Sequence, residues 1–398
     1  MTTGHNRPDR PDPERGRRLF GGLLYVLAVL TGGALLLALF VVPACMGRHP
    51  KAHLTAMAIG ALLAFIPLLV YGSIPRLIDR FDPEPWWCLA LAFAWGAFAA
   101  CGFAAAINTG VEWGFAQVFG EKVAQGIAIC ACAPVVEEAF KGLGVFGVFY
   151  FLRREFDGVV DGVIYATFTA LGFAAIENVT YYANASLAAH GAKLGLTFFM
   201  RGILSPWLHP LFTSMTGLGF GISRETLKPW LRWGAPFIGY CAAVLLHSCW
   251  NSASFFSGML FLLVLPLWLM FVASFLVLVM WLVARKGRII RDNLRDEVLL
   301  GFLSAAELEL VASPVGRLKA SMSHGAIGRE FVGAATRLGL SKWHTARAMR
   351  GQKRTLSADW IAPLRAELNE LRQRIWATTG RTLVKGPPPS VWTPPQKR

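Results

Sequence analysis

Residues 133–142 read Ala133-Pro-Val-Val-Glu-Glu-Ala-Phe-Lys-Gly142, inside an apolar run from about 123 to 151 that is long enough to cross a bilayer. Glu137, Glu138 and Lys141 are therefore ionisable groups in a predicted membrane helix, where each costs about 3 kcal/mol unless it is paired or hydrated. On a helix, Lys141 lies one turn from both carboxylates and can pair with either of them. We take this segment as the candidate site and the other predicted membrane helices as its walls.

The composition is that of a multi-pass membrane protein. The chain has 398 residues, of which 55% are hydrophobic and only 16% charged, and its mean hydropathy is +0.47. Several apolar runs are long enough to span a membrane. We predict an all-α, polytopic membrane helical bundle of about eight transmembrane helices, with a cytoplasmic helical C-terminal extension. The predicted spans are 19–43, 54–74, 86–109, 125–151, 159–181, 198–221, 235–253 and 259–284.

Basic residues in alternate loops indicate the orientation of these spans. Lys and Arg are concentrated in the N-terminal tail and in the loops at 76–80, 153–154, 224–232 and 285–291, and are sparse in the opposite loops. Because positively charged loops stay on the cytoplasmic side, we predict that both termini are cytoplasmic.

Four regions follow from these patterns. They are a cytoplasmic polar tail at 1–18, a transmembrane domain at 19–284, a basic cytoplasmic helical extension at 285–385 and a disordered, proline-rich tail at 386–398. Residues 285–398 hold 21 Lys or Arg against 9 Asp or Glu. An anionic cytoplasmic leaflet accounts for this excess more simply than nucleic acid does. We therefore expect membrane lipids, and no nucleic acid, as partners of this region.

Three further predicted helices carry polar side chains at membrane depth. Glu177 shares a helical face with Phe173 and Tyr181, and the other helices carry His209 beside Pro210, and His247 four residues before Asn251. Taken singly, Glu177 can lie at the outer interface, His209 can be a structural hydrogen-bond donor, and His247 with Asn251 can join helices. Ionisable groups on four consecutive helices, at mid-depth or in the outer half of the membrane, instead predict one hydrated cavity, because exposing them to lipid is unfavourable.

These residue types can hydrolyse a peptide bond. The chain lacks the H-E-x-x-H, G-x-S-G and G-x-G-D motifs of other membrane proteases. A glutamate can activate water as a general base, and a histidine can orient that water or protonate the leaving amine. Lys141 favours the ionised form of one glutamate. Asn251 can donate a hydrogen bond to the developing oxyanion.

The ordered set of motifs resembles the PrsW family. It consists of Glu137-Glu138-Ala-Phe-Lys141, Gly172-Phe173-Ala-Ala-Ile-Glu177-Asn178 with Tyr181, and His247-Ser-Cys-Trp-Asn251, and the resemblance covers roughly residues 55–255. That family is distantly similar to the CAAX prenyl-proteases and the CPBP proteases. The resemblance implies an intramembrane endopeptidase (a glutamic-type or metalloprotease) of the bacterial cytoplasmic membrane. It would cut membrane-protein substrates, an anti-sigma factor in the best-understood case.

The resemblance also implies roles for individual residues. Glu137 or Glu138 would be the base, and Asn251 the oxyanion donor. Glu177, His209 and His247 would complete a site for water or a metal. The prenyl-proteases have F-x-x-x-H where this chain has Phe173-x-x-x-Glu177, so their mechanism does not transfer directly. The cofactor stays open between none and Zn, with Glu177, His209 and His247 as the ligands only if a metal is used.

Two other classes of function compete with proteolysis. An ion-coupled transporter could use the same groups as a relay, but transporters usually contain an internal repeat, and the Glu137-Glu138 pattern occurs once. A non-catalytic membrane scaffold predicts that both glutamates can be replaced without loss of function. The sequence does not name the substrate or the oligomeric state.

Overall fold

A computed structural model of the chain describes residues 15–188, 191–256, 258–351 and 356–392. Within these ranges the secondary structure is helical, without strands, as the all-α prediction requires. The chain divides into two compact units. The first contains the described residues up to 75 together with 84–272, and the second contains 76–83 and the described residues from 273 onward.

The helices of the first unit follow one another with short connections. They are α1 (Arg15–Met46), α2 (Pro50–Phe65), α3 (Trp86–Phe119), α4 (Glu121–Phe151), α5 (Val159–Leu187), α6 (Gly191–Phe198), α7 (Leu208–Glu225) and α8 (Pro229–Phe256). Short helical segments at Leu68–Tyr71, Ser73–Ile78 and Arg153–Glu155 lie between them. Wider π-helical turns occur at Leu37–Val41 in α1, Trp95–Ala100 in α3, Ala128–Cys132 in α4, and Phe199–Leu204 after α6.

Six helices of the described residues are long and apolar enough to cross a membrane. These spans are Arg15–Met46, Pro50–Pro75, Trp86–Phe119, Glu121–Phe151, Val159–Leu187 and Leu262–Leu299. The other two predicted spans, 198–221 and 235–253, correspond to α7 with the turn before it and to α8. These two helices are less apolar because they carry polar groups such as His209 and His247.

The predicted span at 198–221 is not one continuous helix. The π-helical turn ends at Leu204, and α7 begins at Leu208. Pro210 therefore lies in the first turn of α7, where a missing N–H removes no intrahelical hydrogen bond. A continuous helix over the predicted span 198–221 would instead place this proline in the middle of a helix.

Helix α5 is the centre of the first unit. Of the residues in its most apolar 18-residue stretch, 94% are buried. Glycines let its neighbours approach its backbone closely. A Cβ on Gly172 would lie 2.0 Å from the Phe93 carbonyl oxygen, and one on Gly96 would lie 1.8 Å from the Thr169 carbonyl oxygen. Gly162 of α5 meets Gly217 of α7 in the same way, at 2.2 Å. These contacts fix α5 between α3 and α7, and so fix the backbone position of Glu177.

The second unit contains the C-terminal part of α9 (Gly258–Leu299) with α10 (Ala305–Ala312), α11 (Gly316–Arg350) and α12 (Ile361–Thr379). Its core packs Ile290 and Leu294 of α9 against Phe331 and Leu338 of α11 and Leu368 of α12. The helical character of the predicted extension at 285–385 is therefore present, and the extension has a hydrophobic core of its own.

Buried ion pairs join the helices of the second unit. Glu297 is fully buried and accepts hydrogen bonds from Lys342 Nζ at 2.6 Å and from Arg365 Nη2 at 2.7 Å. The hydrogen bond that Arg365 donates to the Glu297 carboxylate raises the pKa of Arg365 above its ordinary value. Glu307 caps α10 through Ser304 and pairs with Arg372 Nε at 2.9 Å.

The described part of the C-terminal tail differs from the predicted disordered segment at 386–398. Trp392 is only 7% exposed, and its ring centroid lies 6.2 Å from that of Trp376. The backbone N–H of Val391 donates to the Gly301 carbonyl oxygen at 3.2 Å. Residues 393–398 lie outside the described residues, as do residues 1–14 of the predicted N-terminal tail, whose last residues begin α1.

Candidate active site

The site is built on α4, which presents three charged groups on neighbouring turns. Lys141 Nζ donates to Glu138 Oε1 at 2.5 Å and lies 3.9 Å from Glu137 Oε2. Glu138 and Lys141 are fully buried. A buried pair of this kind is stable only when its remaining hydrogen-bonding positions are filled, and neighbouring helices fill them.

Glu138 accepts two further hydrogen bonds, one each from α7 and α8. Thr213 Oγ1 donates to Glu138 Oε2 at 2.8 Å, and His247 Nδ1 lies 3.0 Å from Glu138 Oε1. A carboxylate only accepts, so Nδ1 of His247 carries the proton when the ring is neutral, and Nε2 carries the lone pair. The ring of His247 also stacks on Phe212, at 5.0 Å between centroids.

The second histidine has an equivalent carboxylate on α5. His209 Nε2 lies 2.8 Å from Glu177 Oε2, and His209 Nδ1 lies 3.2 Å from Lys141 Nζ. Because the ammonium only donates and the carboxylate only accepts, Nε2 of His209 carries the proton and Nδ1 accepts from Lys141. Each histidine is thus held in one tautomer by a charged neighbour.

Of the adjacent pair Glu137 and Glu138, Glu137 is the one with a carboxylate oxygen available. Asn108 Nδ2 donates to its Oε1 at 3.4 Å, whereas Oε2 is buried and has no hydrogen-bond partner among the described residues. His247 Nε2 lies 3.9 Å from this oxygen, beyond hydrogen-bonding distance. An acceptor in this position, 11% exposed as a side chain, can take a proton from a water molecule or bind a cation.

Six of the seven residues predicted from sequence come together here. They are Glu137, Glu138, Lys141, Glu177, His209 and His247, which lie on α4, α5, α7 and α8. The seventh, Asn251, donates its Nδ2 to the Ile129 carbonyl oxygen at 2.9 Å. This contact fastens α8 to the π-helical turn of α4 and uses one of the two N–H donors of the Asn251 amide. The oxyanion role of Asn251 stays a prediction.

The grouping of possible metal ligands differs from the predicted one. Glu137, His209 and His247 each offer a ligand atom, and these three atoms lie within 4.8 Å of one another. The predicted third ligand, Glu177, has its carboxylate in hydrogen bonds with Arg201 and His209 instead. The difference arises because Arg201, which the sequence analysis did not assign to the site, lies beside Glu177.

Sequence analysis missed three residues of this cluster, namely Asn108, Arg201 and Thr213. An arginine near an acidic membrane helix was a usable signal for Arg201, because a charge at membrane depth needs a partner. No comparable signal marked Asn108 or Thr213, since uncharged polar residues are common in membrane helices.

A comparison with protein families matches the part of the chain that carries this site. Residues 84–282, half of the chain, match the model of the PrsW family intramembrane metalloprotease. The chain belongs to the PrsW family. The matched residues include every charged group of the site described above, so the family assignment and the site rest on the same part of the chain.

Curated PrsW relatives match over shorter segments. The chain is 29% identical to Protease PrsW of Clostridioides difficile (strain 630) over 163 residues, which are 41% of this chain and 64% of that protein. It is 33% identical to Protease PrsW of Geobacillus kaustophilus (strain HTA426) over 96 residues, 24% of this chain and 39% of that protein. The matches thus span less than two thirds of the length of these relatives. No solved structure matches the chain.

The PrsW family description implies a metal, and the residues present fit one. One carboxylate and two imidazoles are a usual donor set of catalytic zinc. Glu137 Oε2 is a buried acceptor without a partner among the described residues. His209 and His247 each have one ring nitrogen hydrogen-bonded to a carboxylate, and the second nitrogen is the one that would bind the metal, as is usual for metal-binding histidines. In this structure, Lys141 donates to the lone pair of His209 Nδ1.

Proposed function

We propose that the chain is an intramembrane endopeptidase that hydrolyses peptide bonds of membrane-protein substrates. The observation that carries the proposal is the free carboxylate oxygen of Glu137, which lies beside two histidines that Glu138 and Glu177 hold in fixed tautomers. General-base hydrolysis needs this combination of an available acceptor and oriented neighbours. Membership of the PrsW family supports the same activity.

The proposed reaction uses each group of the site. Glu137 takes one proton from a water molecule, and the water oxygen forms a bond to the carbonyl carbon of the scissile peptide. The carbon–nitrogen bond then breaks, and the proton passes from Glu137 to the leaving amine nitrogen, while the second water proton stays on the new carboxylic acid. His247 Nε2 and His209 Nδ1 carry lone pairs, so they can accept hydrogen bonds from the water and orient it. Lys141 holds Glu138 in place, which in turn holds His247.

A metal is compatible with these roles. Glu137, His209 and His247 would hold it, and it would supply Lewis-acid activation of water and of the substrate carbonyl. Glu138 and Glu177 would then orient the two histidine ligands.

We also propose eight membrane crossings, with α7 and α8 added to the six apolar spans. Because α7 and α8 carry His209 and His247, which contact the spans α4 and α5, they have to lie at the same depth. The basic loops support cytoplasmic termini, a cytoplasmic second unit near anionic lipids, and a location in the bacterial cytoplasmic membrane. A reporter enzyme fused after Arg398 should therefore behave as cytoplasmic, and a periplasmic signal would overturn this orientation.

The substrate class is proposed from the family alone, and an anti-sigma factor with one membrane span is the first candidate. The test compares the peptide termini in membrane fractions from cells carrying wild type or the double variant Glu137→Gln, Glu138→Gln. New termini in or beside membrane spans are expected with wild type only. Glu112→Gln, an exposed glutamate on α3, is the matched control and should cleave like wild type. Identical profiles from correctly inserted proteins would favour a transporter or a scaffold.

A further inference from the structure

Arg201 makes a set of contacts that neither the motifs nor the family assignment explains. It lies in the π-helical turn Phe199–Leu204, which is separated from α7 by three residues. Its Nε donates to Asn178 Oδ1 at 2.6 Å, and its Nη2 donates to Glu177 Oε2 at 2.6 Å. Its guanidinium carbon lies 3.8 Å from the centre of the Tyr181 ring. One turn of α5 therefore holds the arginine by two hydrogen bonds and one ring face.

The hydrogen bond to Glu177 joins Arg201 to the site. Glu177 Oε2 accepts from Arg201 Nη2 at 2.6 Å and from His209 Nε2 at 2.8 Å, so one oxygen atom connects the arginine to the histidine. A glutamate side chain on a helix has several rotamers of similar energy. Asn178 anchors the rigid, planar guanidinium through Nε, so the second donor, Nη2, holds the Glu177 carboxylate in one position beside His209.

The Arg201–Glu177 pair is more exposed than the charged groups on the other side of His209. The side chains of Arg201 and Glu177 are 26% and 22% exposed, whereas Glu138 and Lys141 are fully buried. Pairing satisfies both charges at membrane depth. The hydrogen bond from His209 to the same Glu177 oxygen goes beyond this pairing, because it connects the pair to the site.

We propose that Arg201 is a positioning residue for the reaction. It fixes the Glu177 carboxylate, which holds the proton of His209 on Nε2 and turns the Nδ1 lone pair toward Lys141 and Glu137. Arg201 acts through Glu177 and His209 and does not touch the substrate. This inference rests on the proposed peptidase activity, and it adds a residue to that site.

The first measurement needs no substrate. Diethyl pyrocarbonate modifies imidazole nitrogens, and mass spectrometry of the purified full-length protein gives the modification rate of each histidine. Arg201→Gln releases Glu177, so the rate at His209 should rise several-fold while the rate at the buried His247 stays unchanged. Arg201→Lys, which keeps the charge but not the paired donors, should lie between. Arg232→Gln, an exposed arginine on α8, is the matched control and should equal wild type.

The second measurement uses the substrate segment identified from the membrane termini. Arg201→Gln should lower kcat about 10- to 100-fold with KM unchanged, the usual cost of losing a group that orients a reacting residue. Arg201→Lys should restore part of that loss. Glu177→Gln should lower kcat similarly, and the double variant should be no worse than either single one, because both changes break the same connection.

The outcomes separate this inference from the proposed function. If wild type cleaves and the Arg201 variants match it in kcat and in His209 modification, the positioning role is wrong and the peptidase stands. A raised KM with unchanged kcat would make Arg201 a substrate contact and would also overturn the inference. If wild type cleaves nothing but His209 modification responds to Arg201, the peptidase proposal fails and the connection from Arg201 to His209 stands.

Discussion

Glu138 Oε1 and His247 Nδ1 lie 3.0 Å apart and form a hydrogen bond that links α4 to α8. Glu137, the preceding residue of α4, has its Oε2 atom 3.9 Å from His247 Nε2. This oxygen has no hydrogen-bond partner among the described residues. Two adjacent glutamates therefore have different environments. One has its hydrogen-bonding positions filled by protein groups, and the other has a position open to a reactant.

This difference predicts different effects of the two single substitutions. Glu137→Gln removes the proposed base and should reduce cleavage by about 100-fold or more, with little change in thermal stability. Glu138→Gln leaves the buried Lys141 with only its longer, 3.9 Å contact to the Glu137 carboxylate and should destabilise the fold by about 3 kcal/mol. Activity assays with melting curves in detergent measure both effects. Equal melting temperatures for the two variants would contradict the assignment.

The group of possible metal ligands predicts an order of zinc affinities. Removing one of the three ligands, by Glu137→Ala, His209→Ala or His247→Ala, should weaken zinc binding most. Glu177→Ala removes only a hydrogen bond to His209 and should weaken zinc binding by about 10- to 100-fold. Competition with a chelator on the purified protein measures these affinities, with Glu112→Gln as control. An equally severe loss for Glu177→Ala would favour the ligand set predicted from sequence. Absence of zinc binding in wild type would favour metal-free glutamate chemistry.

The close approach of α3 to α5 predicts that one added methyl group disturbs the site. Gly172→Ala creates a Cβ 2.0 Å from the Phe93 carbonyl oxygen, and the resulting overpacking should cost about 1–3 kcal/mol. Because Glu177 follows on the same helix, a shift of about 1 Å should also reduce activity strongly. Gly114→Ala, with nothing within 4 Å of its new Cβ, is the control. Wild-type behaviour of both variants would show that α3 and α5 are farther apart.

The second unit depends on a buried carboxylate. Glu297→Gln leaves Lys342 and Arg365 without the charge they share, and should lower the free energy of unfolding by about 3 kcal/mol. The exposed pair of Arg295 with Asp292 supplies the control, since Arg295→Gln should change stability by less than about 1 kcal/mol. Proteolytic digestion of the full-length protein, followed at the C-terminal unit, measures the difference. Similar digestion rates would show that water reaches Glu297.

The sequence was most informative where a charge lay in an apolar run. Glu137, Lys141, Glu177 and His247 were predicted to meet because unpaired charges are excluded from lipid, and their contacts need little more than that rule. Helical type was predicted for the same reason, since only hydrogen-bonded helices suit long apolar runs of this length.

Other features depend on local geometry that no residue type specifies. The spacing of Asn251 to His247 does not reveal that one N–H of the Asn251 amide donates to the Ile129 carbonyl oxygen, and the oxyanion role of Asn251 stays a prediction. The choice of Glu137 over Glu177 in the metal group depends on Arg201, whose partner the spacing of residues does not reveal. The break before Leu208 is an exception, because Ser205-Pro206 interrupts the apolar run there and the residue before a proline is disfavoured in the α conformation.

The π-helical turn Ala128–Cys132 in α4 has a consequence for how this chain is aligned with others and engineered. A π-helical turn contains one more residue than the α-helical turn it replaces. Deleting one residue from it would restore a regular helix and rotate everything before it by about 100° relative to Glu137 and Glu138. A helical wheel drawn at constant pitch through α4 consequently assigns the residues before the turn to the wrong face. A chimaera joined on one side of this turn has to keep its extra residue, or the glutamates will meet different neighbours.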